Sequence, residues 1–153
     1  MTLIVAAIRP DDWNFALLIH VLGAMVLVGA LVLAASALLF AWRGGSASLV
    51  RLGFRALLLG ALPGWILMRV GAEWIASKED LTDSTVSWIE IGYNAADVGL
   101  LVILVSTVLG GFAMRRASGG GGSGGLGRAS GVLVSLLLVV YVVAIWAMTT
   151  KPT

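Results

Sequence analysis

Four long apolar stretches, at 14–42, 56–74, 93–114 and 132–148, fill most of the 153 residues of this chain. Each is long enough to cross a hydrocarbon core of roughly 30 Å as a helix. A soluble domain of this size could not hide so much apolar surface, since 59% of the residues are hydrophobic, 12% are charged and the mean hydropathy is +1.03. The expected fold is therefore all-α. It is an integral membrane protein, a single domain forming a four-transmembrane-helix bundle with helices near 14–42, 56–74, 88–116 and 131–149.

The few charges are distributed unevenly. Arg43, Arg51 and Arg55 lie between the first and second stretches, and Arg115, Arg116 and Arg128 between the third and fourth, with no acid in either place. The acids lie on the other side: Asp11 and Asp12 before the first stretch, and Glu73, Glu79, Asp80, Asp83 and Glu90 between the second and third. Basic loops stay in the cytoplasm, which puts both termini on the outer side of the cell (plasma or inner) membrane. The arginines are expected to act as orientation signals; no nucleic-acid partner is expected.

With no cysteine, disulfides and thiolate metal sites are excluded. Two aspartates precede an apolar run too long for a signal-peptide core, so the first span is expected to stay as an anchor helix. Residues 118–127 (SGGGGSGGLG) have the composition of a flexible linker. The stretch from Ser77 to Thr85 is expected to be an exposed loop.

Trp13, Trp74, Trp88 and Trp146 fall near the outer ends of the spans and Phe40, Trp42, Phe54 and Phe112 near the inner ends, as headgroup-level rings do. Trp65 is the mid-span exception, expected to pack in the bundle or against lipid. Pro63-Gly64 predicts a kink in the second span, because proline removes a backbone donor. Ser87 and Glu90 have the spacing of a capping box.

Ionisable side chains inside spans are costly and therefore become site candidates. Here they are His20, Arg69, Glu73 and Asp97. At 1.5 Å per residue, His20 lies about 10 Å in from Trp13, Arg69 about 8 Å in from Trp74, and Asp97 roughly 13 Å in from Trp88. All fall in the outer half, where they can meet. Arg69 and Glu73 share a helix face, as do Glu90, Asn94 and Asp97. His20 shares a face with Gly23, Ala30, Ala34 and Ala37, small residues that favour close helix approach. The expected site is an outer-leaflet polar pocket of His20, Arg69, Glu73, Tyr93, Asn94 and Asp97 on spans one to three, with Tyr141 from span four. Its bland counterpart is an ion-paired cluster that only fixes packing. The inner half lacks ionisable groups, which disfavours a proton-transport path. Ser106 and Thr107 are expected to bond back to their own helix.

These features support a non-enzymatic membrane protein, an accessory or assembly component whose partners beyond the lipid bilayer are other membrane subunits or further copies of itself. The alternative is a bundle that binds a small ligand, haem or copper. His20 with Met68 would be a haem-ligand pair, and His20 with Asp97 and Glu73 a metal set.

The run from Ile19 through His20 to Ala24, and the closing Trp146 to Pro152 with its terminal Lys151-Pro152, resemble small bacterial four-helix membrane proteins around copper-resistance protein D. Some members of that wider group handle haem, copper or porphyrins, which implies a ligand role for His20. Small four-helix protoporphyrinogen oxidases also carry a first-helix histidine. Their aromatic surroundings and their later basic residue are not recognisable here, so only His20 matches.

Overall fold

The computed structural model describes residues 11–44, 46–78, 87–120 and 124–150. Those residues form helix α1 (Asp11–Gly44), helix α2 (Ala47–Ala56), a π-helical turn (Leu57–Ala61), and helices α3 (Leu62–Lys78), α4 (Ser87–Ser118) and α5 (Gly124–Thr150). α2, the π turn and α3 run on as one rod. The described residues therefore hold four rods long and apolar enough to cross a membrane, and no strand. The chain is an all-α, multi-pass membrane protein, as its apolar pattern predicts.

The helices reach further than the apolar stretches. The second rod starts at Ala47, not near 56, so Arg51 and Arg55 sit on α2 instead of in a loop. Ser46 caps it, its hydroxyl accepting from Leu49 N–H at 3.5 Å. α2 is amphipathic, with Val50, Gly53 and Ala56 buried. A hydropathy pattern tuned to lipid misses such a turn. Ser77 and Lys78 likewise close α3, while the loop residues Glu79, Asp80 and Asp83 lie outside the described residues. So do the side chains of Trp13, Ser87 and Trp88, although α4 begins at Ser87 with Glu90 in its first turn. The glycine-rich segment is partly helical: Ser118 ends α4, and Gly124 to Gly127 open α5. Gly120 (φ 80°) and Gly124 (φ 54°) take left-handed conformations that glycine adopts without penalty.

Pro63 is accommodated by the π turn just before it. Proline crowds the carbonyl four residues back, and a wider turn relieves that clash. Leu62 N–H donates five residues back, to Leu57 O, which is the π pattern.

The rods alternate in direction. All six described arginines other than Arg69 gather at one end, here the basic end, and Lys78 and Glu90 mark the other, the acidic end. α1 packs against both the second rod and α5, and α4 packs against α5 and α2. In the basic half the rods close around Leu31, Leu38, Leu57, Ile103 and Val134, all fully buried. Among the described residues that core holds no Asp, Glu, Lys, Arg or His side chain. Outside it, Met25, Leu59, Leu101, Val139 and Val142 are exposed, as lipid-facing side chains are. In the acidic half, α3 touches α4 at few points.

Candidate functional site

Two seams of opposite character shape the acidic half. The α1–α3 seam is built on glycine. An ideal Cβ on Gly64 would stand 2.7 Å from Leu27 N, and one on Gly71 2.5 Å from His20 N. A Cβ on Gly23 would fall against the backbone of Leu67 and Met68. Helices approach this closely only where small residues meet, which in lipid is what favours their association.

That proximity places His20. Its Nδ1 lies 2.9 Å from the backbone carbonyl oxygen of Met68. The carbonyl has two lone pairs, so it can take this bond in addition to its helical one. His20 and Met68, expected as a haem-ligand pair, meet here through the Met68 main chain and not through its sulfur.

The α3–α4 seam is stitched by polar groups across a wider gap. Trp65 Nε1–H donates to Ala96 O at 2.8 Å, which resolves the mid-span tryptophan as a bundle-facing one. Arg69 is the hub of the rest. Its guanidinium lies 3.1 Å from Glu73 Oε1, 3.4 Å from Asp97 Oδ1, and 4.4 Å above the centre of the Tyr93 ring. The Tyr93 hydroxyl completes the set at 3.4 Å from Glu73 Oε2. Arg69 sits nine positions before the end of α3 and Asp97 ten past the start of α4, so both lie about 15 Å from the acidic end. Their levels match, as the spacing predicts.

Between these seams lies a cavity of about 380 Å³. All four rods contribute: Leu17, His20 and Ala24 from α1, Met68 and Arg69 from α3, Tyr93 and Ala96 from α4, and Tyr141 and Met148 from α5. Its walls are mainly apolar. Tyr141 is 6% exposed, and its hydroxyl, pressed against Gly99, has no hydrogen-bond partner among the described residues.

The structure divides the six-residue polar pocket expected from sequence. His20, Arg69 and Tyr93 line the cavity, whereas Glu73, Asn94 and Asp97 do not. Asn94 is exposed, and the side chains of Glu73 and Asp97 are 48% and 63% exposed on the outer side of the seam. The stripe Glu90, Asn94, Asp97 thus faces away from the bundle, the reverse of what was expected. The inward face of α4 is instead Gly92, Ala95, Ala96, Gly99, Ile103 and Ser106, all buried. Small residues gain more from helix contact than charges gain from burial. That stripe of small residues was the sequence signal that could have set the rotation of α4.

The metal set His20, Asp97 and Glu73 is consequently not assembled. Both carboxylates turn to Arg69 while His20 faces the cavity, and among the described residues no three His, Asp or Glu side chains converge to hold an ion. Thr107 bonds back to Ile103 O at 2.7 Å, as expected. Ser106 does not: its buried hydroxyl has no partner among the described residues, and its carbonyl accepts from Ser130 Oγ at 2.8 Å, joining α4 to α5. Comparison with protein-family models, curated proteins and solved structures yields no match to this chain.

Proposed function

We propose that this chain is a non-enzymatic accessory subunit of a membrane complex, docked to a partner helix through the acidic stripe of α3 and α4. One observation carries this reading. Asp97 presents a half-exposed carboxylate about 15 Å along α4 from the acidic end, a depth at which lipid offers it no partner, and Glu73 presents another about 8 Å along α3. One arginine serves two carboxylates, leaving the cluster short of positive charge. A partner span bearing lysine or arginine would complete it. The arginine-rich ends favour an arrangement in the cell membrane with those ends cytoplasmic and both termini outside.

A photo-crosslinker at Asn94, compared with one at Met25 on α1, tests this in native membranes. The expected result is a discrete crosslinked partner from Asn94 only, lost in Glu73→Gln/Asp97→Asn while the bundle stays folded. Equal crosslinking from both faces would remove the basis for the proposal; a product containing only this chain would make the partner a second copy.

The cavity favours a second reading, a bundle that binds a small ligand in the same half of the membrane. A mostly apolar hollow with a few convergent polar groups is the usual form of such sites. Among the described residues its polar side chains are His20, Arg69, Tyr93 and Tyr141. The two readings use opposite faces of the α3–α4 seam, so both can hold together.

A further inference from the structure

The chemistry of the cavity's histidine is fixed by its neighbour. A carbonyl oxygen only accepts, so the 2.9 Å contact with Met68 O puts the imidazole proton on Nδ1. In the tautomer this bond selects, Nε2 carries the bare lone pair, and it has no hydrogen-bond partner among the described residues. A lone pair at an apolar wall is complemented by a proton donor and opposed by another acceptor.

The rest of the lining narrows the ligand. Arg69, the cavity's one Lys or Arg among the described residues, is already engaged by Glu73, Asp97 and the Tyr93 ring, so an anionic headgroup finds no free charge among them. The Tyr93 and Tyr141 rings and the thioethers of Met68 and Met148 supply flat, polarisable surface suited to an aromatic ring. A volume of about 380 Å³ accommodates a single-ring molecule. Resting on the ligand-binding reading above, we propose that the cavity holds a neutral, lipid-soluble phenol or hydroquinol whose hydroxyl donates to His20 Nε2. The site distinguishes the reduced, hydroxyl-bearing form of such a ring from its carbonyl-bearing quinone.

The chain has a single histidine, so imidazole nitrogen NMR on the histidine-labelled full chain in lipid nanodiscs observes this ring alone. The probes are a short-chain prenylated benzoquinol, its quinone and its dimethyl ether, with affinities taken from equilibrium binding of each. The free protein is expected to show protonated Nδ1 and bare Nε2. Benzoquinol should shift the Nε2 signal upfield, and the quinone and ether should bind about tenfold more weakly without moving it. In His20→Ala the preference for the quinol should vanish. A proton found on Nε2 in the free chain overturns the proposal. So does an ether that binds as well as the quinol with Nε2 unmoved, although the cavity then remains a ligand site. Failure of all three probes to bind removes the ligand-binding reading itself. A co-purifying Soret band lost in His20→Ala would assign Nε2 to iron and overturn the hydroxyl donor.

Discussion

Replacing Gly23 by alanine tests the glycine seam that positions His20. The added Cβ would stand 2.8 Å from both Leu67 C and Met68 Cα, with Met68 N nearer still. These are backbone atoms, so no rotamer change makes room. Carbon contacts settle at ~3.5–4.0 Å, so α1 and α3 must separate by on the order of 1 Å. Overpacking of this kind costs about 1–3 kcal/mol. The separation also stretches the His20–Met68 hydrogen bond three residues away, whose loss adds about 1 kcal/mol. Against this, alanine recovers up to about 1 kcal/mol of helix propensity. The net expectation for Gly23→Ala is a loss of about 2 kcal/mol. Gly29, on the same helix, has nothing within 4 Å of its ideal Cβ, so Gly29→Ala should stay within about 0.5 kcal/mol of the parent. Gly92 is the intermediate case. Its Cβ meets only the end of Met148, a flexible side chain that can move, and Gly92→Ala should cost less than about 1 kcal/mol. Equilibrium unfolding in mixed micelles, titrated with denaturing detergent, measures all three. Equal losses for Gly23→Ala and Gly29→Ala would refute the reasoning, as would a Gly23→Ala protein whose stability and histidine spectrum match the parent.

Tyr141→Phe removes a hydroxyl that has no partner among the described residues, so it should be neutral or stabilising by up to about 1 kcal/mol. Gly99→Ala drives a methyl into that hydroxyl and should destabilise, and the double variant should recover most of the loss in a double-mutant cycle. Arg69→Met should cost about 2 kcal/mol in the same unfolding assay, because it strands two carboxylates and a ring. Asp97→Asn should cost less than about 1 kcal/mol, since that carboxylate is 63% exposed and leaves Arg69 still paired with Glu73. Equal losses from the two variants would mean that Arg69 is not the hub.

The sequence by itself determined the number of rods, their alternating direction and the level at which polar groups meet. Hydropathy sets where a chain can enter lipid, and the rise of a helix sets depth, so Arg69 and Asp97 could be matched before any packing was known. The Arg69–Glu73 pair was legible for the same reason, being local to one helix. What only the tertiary structure decided was rotation. The apolar surfaces of α1, α4 and α5 carry almost no helical asymmetry, because lipid and bundle interior are equally oily. Packing must then choose the inward face, and it chose the glycine and alanine stripes. That choice sent Asp97, Asn94 and Glu73 outward, left His20 and Tyr141 at the cavity, and gave His20 a backbone carbonyl as its partner. Contacts between helices far apart in sequence depend on fractions of a turn, and composition carries no record of them.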